Sequence, residues 1–287
     1  MKRSKVAPYL YILPNLIIFT TFVIIPAFMG FYYSFTKYDG LNPAEFVGFS
    51  NFISLFHDEQ FINVIIRSIM YTVLVVLLIY IISLGMALIL TTLKKTVSFL
   101  RMIYYLPVMI SFVIAGLLWQ WFLSDHFGLM NYILSLLGID NFSFLLSKFG
   151  ANFSTIMVTV WSRFGYFMVI FFVALISIDE SLYEASDIDG ASSFQKFIYI
   201  TLPMLKPTTV LVIILSIIDT LKTFPLIVSL TGGGPVNATT YIVQHIYEIG
   251  FISSKLGYAS AMSVLLFIVV AIISFIIMKI SKGGKIQ

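Results

Sequence analysis

Three ionisable side chains lie well inside long apolar runs of this chain: Arg163, Asp219 and Lys222. Such a group at the centre of a bilayer costs at least about 2.5 kcal/mol, so it is expected to face a bundle interior or a wet cavity. Asp219 and Lys222 are three residues apart and can pair on one helical face. Either they form an internal structural pair, with Arg163 held by a neighbouring helix or a partner chain, or all three line a polar path. Tyr166 and Thr223 would add hydroxyl groups to that path.

The residues of common catalytic and metal sites are scarce. The chain has no cysteine, which excludes disulfides, thiolate ligands and a cysteine nucleophile. His57, His126 and His245 lie far apart in loops or at helix ends, where no metal site is expected. There is no G-x-x-x-x-G-K-[ST] motif, and the run Thr231-Gly232-Gly233-Gly234-Pro235 is predicted to be a tight turn at a helix end. We therefore expect no catalytic residue and no metal or cofactor bound by this chain.

The amino-acid composition predicts the fold class in which these residues lie. Of 287 residues, 60% are hydrophobic and 10% charged, too little charge to cover a soluble domain of this length. The predicted fold class is all-α, a polytopic membrane protein that forms a single transmembrane domain over residues 1–287. The first apolar run is too long for a signal peptide and is predicted to be a retained span. The six predicted spans are at about 10–35, 68–93, 102–123, 153–178, 208–230 and 258–280.

The distribution of lysine and arginine predicts the orientation of the chain. Alternate connecting segments carry eleven and four of these residues. Cytoplasmic loops carry the excess, so both termini are predicted to be cytoplasmic. The eleven residues assigned to the cytoplasm are Lys2, Arg3, Lys5, Lys94, Lys95, Arg101, Lys196, Lys206, Lys279, Lys282 and Lys285.

The segment between spans four and five, 179–207, has its own helix signals. Ser181 and Glu184 have the spacing of a capping box, as do Ser192 and Gln195. Gly190 lies between them, where a helix terminator is expected. The pattern predicts a short helix, a glycine turn and a second helix running to the membrane surface. From periodicity alone this segment could equally be a simple surface connector.

The residue string in this loop resembles the EAA loop of bacterial ABC importer permeases. The matching positions are Glu184, Ala185, Asp189, Gly190 and Ala191, followed by Leu202-Pro203, while Ser186 replaces the second alanine of the family pattern. Further stretches resemble the carbohydrate-type branch of this family in the same order: Phe46-Val47-Gly48-Phe49-Ser50-Asn51-Phe52, Tyr105-Leu106-Pro107, Gly128-Leu129-Met130-Asn131, Leu137-Gly138, Thr231 to Pro235, Thr239-Thr240, Ile246-Tyr247 and Gly257-Tyr258-Ala259-Ser260-Ala261.

The resemblance implies a non-catalytic permease subunit, similar to the larger subunit of maltose-type importers, in a bacterial cytoplasmic membrane. Its implied partners are a second permease subunit, two cytoplasmic ATPase subunits that hold ATP and magnesium, and an extracytoplasmic binding protein that delivers a carbohydrate. Membrane lipid surrounds it, and no nucleic acid is involved. The coupling loop would dock on the ATPase, and spans four to six would line the path. The sequence does not name the sugar. The residues assigned to coupling are Glu184, Ala185, Asp187, Asp189, Gly190 and Ala191.

Two other functions are weighed against this one. A secondary transporter commonly shows paired inverted repeats and broken helices, which are not apparent in the sequence. A membrane-embedded transferase would cluster Asp, Glu or His at a membrane face, and the acidic cluster from Asp179 to Asp189 is already explained by the coupling loop.

Overall fold

A computed structural model describes the backbone of residues 7–93 and 96–282 and the side chains of residues 11–93 and 96–280. Of the cytoplasmic cations assigned from the sequence, Lys2, Arg3, Lys5, Lys94, Lys95 and Lys285 lie outside the described residues, as does the side chain of Lys282.

The described chain is almost entirely helical, as its composition predicts. The α-helices are α1 Ala7–Phe19, α2 Ile25–Tyr33, α3 Ser50–His57, α4 Glu59–Thr92, α5 Val97–Tyr105, α6 Phe112–Phe122, α7 Leu129–Leu136, α8 Lys148–Ile176, α9 Glu180–Ile188, α10 Ser193–Lys196, α11 Leu202–Met204, α12 Lys206–Leu221, α13 Phe224–Leu230, α14 Ile242–Tyr247 and α15 Leu256–Lys282. Short π-helical turns occupy Thr20–Ile24, Phe197–Thr201 and Glu248–Ile252. A ribbon of two antiparallel strands, β1 Thr36–Lys37 and β2 Glu45–Phe46, is the exception.

Four helical segments are long and apolar enough to cross a membrane: Tyr11–Tyr33, Glu59–Thr92, Lys148–Ile176 and Leu256–Ile280. Two bent pairs bring the number to six if each is one span. The prediction of an all-α protein with several spans is confirmed. The predicted number of six spans is reached when each bent pair, at spans three and five, is counted as one span.

Span three is bent at Ile110 and Ser111. The segments Val97–Met109 and Phe112–Phe122 meet at 97°, with Pro107 in a 3₁₀ turn before the bend. Ser111 has an extended backbone, and its hydroxyl accepts the Ile114 N–H at 3.4 Å, so α6 begins there as a new, capped helix. Span three therefore turns a corner at the capping serine, directly after the proline-containing turn.

Span five is bent at its start and interrupted before its C-terminal end. Ser193–Met204 and Lys206–Leu221 meet at 65°. After Leu221 the helix stops, and α13 begins at Phe224 with Pro225 in its first turn. Proline lacks an N–H and its ring clashes with the carbonyl four residues earlier, here that of Leu221. The span predicted at about 208–230 therefore contains two helices, separated by Lys222 and Thr223.

By contact clustering the chain divides into two units, of which the first comprises residues 1–62 and 245–270. Within it, the Asn51 amide donates to the carbonyls of Ser34 and Thr36, both at 2.9 Å, and fastens α3 to the end of α2. Bonds from Asn42 and the Leu41 N–H lower the pKa of Asp39 to about 2. The connection between α2 and α3 in this unit is therefore ordered and held by hydrogen bonds.

The second unit comprises residues 63–244 and 271–287. Its core includes the buried side chains of Phe167, Met168 and Phe171 on α8. A Cβ at Gly165 would lie 1.9 Å from the Tyr104 carbonyl oxygen, so the close approach of α8 to α5 requires glycine. Helix α8 is therefore the central element of this unit, and it carries Arg163.

Candidate functional site

The acidic segment after α8 is a short helix capped by Asp179. The Asp179 carboxylate accepts the Ser181 N–H at 3.0 Å, and this bond lowers the pKa of the carboxyl. The prediction that Ser181 and Glu184 form the capping box is wrong, because Asp179 precedes them as the N-cap and Ser181 already lies in the helix. Within the described residues no hydrogen bond or ion pair involves the Glu184 carboxylate.

Gly190 ends this helix, as the sequence predicts. Its φ is +73°, its N–H donates to the Asp187 carbonyl at 3.1 Å, and the Ala191 N–H donates to the Ser186 carbonyl at 2.9 Å. These two bonds are the Schellman arrangement, which satisfies the last carbonyls of a helix and favours glycine in the left-handed region. Because no atom lies within 4 Å of a Cβ placed there, the requirement for glycine is conformational rather than steric.

The second helix of the loop begins with the predicted capping box, which is confirmed. The Ser192 hydroxyl accepts the Gln195 N–H at 3.3 Å, and the Gln195 side chain accepts the Ser192 N–H at 2.7 Å. An ion pair between Lys196 and Asp187 joins α10 to α9. The hairpin α9–Gly190–α10 is therefore held by bonds between residues close in sequence.

This hairpin presents both polar and apolar side chains to its surroundings. Glu184, Ala185, Asp187, Asp189 and Gly190 are exposed, whereas Ala191 is half-buried. Ile188 is 88% exposed and Phe194 73%, and Tyr199, in the turn that follows α10, is 76% exposed. Large apolar side chains grouped on a polar, ordered element are typical of a surface that meets another protein.

Arg163 and Asp219 come together in the structure. Arg163 Nε lies 3.1 Å from Asp219 Oδ2, and its guanidinium lies 4.1 Å from the centre of the Phe112 ring. Lys222 is exposed, and no ion pair within the described residues joins it to Asp219. The Asp219–Lys222 pair considered from spacing is therefore absent, because α12 ends at Leu221 and Lys222 does not continue the helical face of Asp219.

Tyr166 and Thr223 differ in accessibility. Tyr166 follows Arg163 by three residues on α8 and is partly exposed. Thr223 is 1% exposed, and its hydroxyl donates to the Thr220 carbonyl at 2.6 Å. Thr223 forms part of the break in span five and is shielded from solvent, whereas Tyr166 and Lys222 are accessible.

Sequence reasoning missed a set of buried polar residues around that break. The Tyr71 hydroxyl lies 2.7 Å from that of Thr159 and 3.2 Å from that of Thr223. The Tyr71 ring stacks on Tyr241, with centroids 4.1 Å apart. The available signal was a tyrosine and a threonine in the apolar runs of spans two and four, which mark positions that need a hydrogen-bonding partner.

The glycine-rich run after α13 is a tight turn at a helix end, as predicted. Gly232 has φ +61° and Gly233 φ +90°. The Gly232 N–H donates to the carbonyls of Ile227 and Val228, and the Thr231 and Thr239 hydroxyls lie 2.7 Å apart. The run closes α13 and turns the chain back towards Tyr241.

A cavity of about 1010 Å³ opens between α4 and α8. Its lining is mainly apolar but includes the polar side chains of Arg67, Lys148 and Asn152. None of the residues assigned to the path lines it. Among the residues that the structure describes, no group of three or more His, Asp or Glu side chains could hold a metal.

Known transport proteins resemble this chain in sequence. A family model described as the binding-protein-dependent transport system inner membrane component matches residues 92–283. The probable ABC transporter permease protein YurN of Bacillus subtilis (strain 168) is 30% identical and covers 99% of each chain. The probable starch degradation products permease protein AmyD of Thermoanaerobacterium thermosulfurigenes is 31% identical over 97% of this chain and 95% of its own. The sn-glycerol-3-phosphate permease protein UgpA of Salmonella typhimurium (strain LT2) is 32% identical, over 96% of this chain and 93% of its own.

Solved structures agree with these relatives. A chain of a bacterial ABC transporter involved in the import of the acidic polysaccharide alginate aligns with a TM-score of 0.85 and 27% identity. The alignment covers 97% of this chain and 96% of that one. A second structure, of bacterial alginate ABC transporter in complex with alginate pentasaccharide-bound periplasmic protein, matches equally well.

A secondary transporter and a membrane-embedded transferase are thereby excluded, because the family is the non-catalytic membrane part of a transport system. It is an inner-membrane, multi-pass family that works with a binding protein. The chain belongs to the binding-protein-dependent transport system inner membrane components, as a permease subunit of an ABC importer.

Proposed function

We propose that this chain, a single transmembrane domain over residues 1–287, translocates a sugar or oligosaccharide, or a derivative such as a sugar phosphate. An extracytoplasmic binding protein delivers the substrate. The chain pairs with a second permease subunit, and two ATPase subunits hold ATP and magnesium. The relatives support this class, since their names specify starch degradation products and glycerol-3-phosphate, and the solved transporter imports alginate.

The observation that carries the proposal is the hairpin α9–Gly190–α10. An element that transmits force to a partner must be ordered before docking, and this hairpin is capped at both helices and joined by an ion pair. Its exposed Ile188 and Phe194 offer apolar contact, while Glu184 and Asp189 offer carboxylates to a cationic rim. We assign this surface to the ATPase subunit.

The proposed path uses Arg163, Tyr166, Asp219 and Lys222, with Thr223 at its wall. Asp219 neutralises Arg163, so the guanidinium is oriented and costs less in the membrane. Lys222 and the Tyr166 hydroxyl are exposed and offer hydrogen bonds to sugar hydroxyls. The Arg163–Asp219 pair therefore forms part of the wall of the path, and Lys222 and Tyr166 contact the substrate.

Alternating access follows from the connection between these two regions. The hairpin leads through the 65° bend before Lys206 directly into α12, whose outer end carries Asp219. Closure of the ATPase subunits would move the hairpin, and α12 would transmit this motion to the Arg163–Asp219 pair and the break beyond it. Binding of ATP would thus change the geometry of the path without any ATP site in this chain.

Co-purification and transport test the proposal together. The chain is expressed with the second permease and the ATPase, reconstituted in proteoliposomes, and assayed for ATP-dependent uptake of the sugar that its binding protein retains in a thermal-shift panel. Glu184→Lys should abolish coupling while the chain still inserts. Normal uptake by Glu184→Lys, or uptake that needs an ion gradient instead of ATP, would contradict the proposal.

Orientation can be tested separately because the chain has no natural cysteine. Ile188→Cys should be shielded from an impermeant thiol reagent in intact cells, whereas Asn42→Cys should react. Both positions are exposed, so a difference in labelling reports the side of the membrane. Labelling of Ile188→Cys from outside would overturn the cytoplasmic assignment of the hairpin and of both termini.

A further inference from the structure

A chain of buried hydroxyl groups connects spans two and four to the break in span five. Tyr71, Thr159 and Thr223 come from three different helical spans, and each is at most 4% exposed. Their hydroxyls are separated by 2.7 Å from Tyr71 to Thr159 and by 3.2 Å from Tyr71 to Thr223. A buried hydroxyl is expected to be bonded, and here each one finds its partner on another span.

The hydrogen-bond donors and acceptors give this series of hydroxyl groups a direction. A carbonyl can only accept, so the Thr223 hydroxyl proton goes to the Thr220 carbonyl at 2.6 Å. Thr223 must then accept from Tyr71, which has one proton to give. Tyr71 in turn accepts from Thr159. The order Thr159 to Tyr71 to Thr223 to Thr220 ends on the last turn of α12, next to Lys222.

The Tyr71 ring is also part of the wall that holds the outer loop 231–244. Its face stacks on Tyr241 at an interplanar angle of 17°. The Tyr241 hydroxyl donates to Asn152 at 3.0 Å, and the neighbouring Ile242 N–H donates to Ser68 at 2.8 Å. Burial raises the pKa of Tyr241, so this hydroxyl remains a donor.

We propose that Tyr71 is the positioning residue that couples the outer loop 231–244 to the break at Lys222 and Thr223. Its ring moves with the loop because it stacks on Tyr241. Its hydroxyl bonds to Thr223 and thereby positions the last turn of α12. A binding protein that shifts the loop would therefore shift the exposed Lys222 and, one turn earlier, Asp219. This inference rests on the proposed function, because it requires a binding protein that docks on the outer side.

The test compares Tyr71→Phe with Tyr80→Phe in the reconstituted transporter. Both changes remove one tyrosine hydroxyl from α4, but that of Tyr80 has no hydrogen bond among the described residues, and its ring packs on Phe171. The readout is the ratio of ATPase activity with and without the sugar-loaded binding protein. For Tyr71→Phe this ratio should fall about two- to tenfold, as loss of one hydrogen bond allows. For Tyr80→Phe it should match wild type.

Two further variants separate positioning from folding. Thr159→Val removes the donor to Tyr71 at nearly constant volume and should lower the ratio, whereas Thr159→Ser keeps the hydroxyl and should restore it. Thr223→Val should add little to Tyr71→Phe, because both act through one chain of bonds. If Tyr71→Phe fails to assemble, the Thr159 variants decide.

A wild-type ratio in Tyr71→Phe or in Thr159→Val, an equal loss in Tyr80→Phe, or multiplicative effects of Tyr71→Phe and Thr223→Val would overturn the coupling role. Failure of the proposed function looks different, since then no binding protein stimulates even the wild-type complex.

Discussion

The hairpin α9–Gly190–α10 and the break at Lys222–Thr223 are both short polar interruptions between apolar helices, yet they are stabilised differently. The hairpin depends on neighbours in sequence: the Asp179 cap reaches two residues, the Ser192–Gln195 box three and the Lys196–Asp187 pair nine. The break depends on Tyr71, 152 residues away, and on the Arg163–Asp219 pair between α8 and α12.

This difference determines how each region responds when neighbouring parts of the protein move. A locally stabilised, exposed hairpin keeps its shape when the partner beneath it moves, so it can transmit force as a rigid element. A break that depends on two other helices, α4 and α8, responds when either of them moves. The first suits a docking element, and the second suits a path that must open and close.

The largest expected effect is loss of the ion pair at the break. Arg163→Met leaves Asp219 without its cation. It should cost about 2 kcal/mol, below the 3–5 kcal/mol of a fully buried pair, because the two side chains keep 22% and 24% exposure. The melting temperature and yield of the solubilised complex measure this, and adding Asp219→Leu should recover most of the loss.

Lys222→Met is the control for that experiment, since Lys222 is outside the pair. Its complex should melt like wild type. If instead Lys222→Met destabilises the complex and Asp219→Asn rescues it, the pairing is with Lys222 and the break is built differently.

The next effect concerns the hairpin and has a matched control within the chain. Gly138 ends α7 in the same Schellman arrangement as Gly190, with φ +72° against +73° and no atom within 4 Å of a Cβ in either case. Valine in the left-handed region costs roughly 1–2 kcal/mol at both sites. Uptake should fall about tenfold for Gly190→Val and remain near wild type for Gly138→Val. Equal losses would mean that strain, not coupling, explains the effect.

A smaller effect is expected for the exposed cation of the path. Lys222→Met should lower the uptake rate by about three- to tenfold, the range for one charge-assisted hydrogen bond, while complex yield persists. Lys255→Met changes an exposed lysine that is not among the residues assigned to the proposed path; it is the matched change and should leave uptake unaltered. Wild-type uptake by Lys222→Met would remove this residue from the path.

The smallest effect distinguishes the two possible caps of α9. Asp179→Ala should speed amide exchange in the first turn a few-fold, and Ser181→Ala should not, because only Asp179 accepts an N–H there. The carboxyl has a lowered pKa, so its stabilisation is present at neutral pH and is lost as acid protonates it. Protection that disappears in Ser181→Ala instead would restore the cap predicted from spacing.

Local features of the site were predictable to the extent that their bonds were local. Gly190 and the Ser192–Gln195 box were found because helix ends have fixed residue preferences within a turn. The first cap was assigned to Ser181 instead of Asp179 because two suitable residues lie within three positions of each other. The corner at Ser111 and the stop before Pro225 needed backbone geometry, since a serine or proline in an apolar run fits a gentle kink as well as a break.

The sequence alone was enough to predict the helical, membrane-spanning class of this protein, the position of the hairpin α9–Gly190–α10 and the resemblance to permeases. Those properties depend on composition and on neighbours along the chain. Only the tertiary structure showed that Asp219 pairs with Arg163, that Thr223 is buried, and that the Tyr71 hydroxyl bonds to Thr223 at the break. The physical reason is that a charge or hydroxyl in an apolar environment must find a partner, and spacing along one helix does not reveal which other helix supplies it.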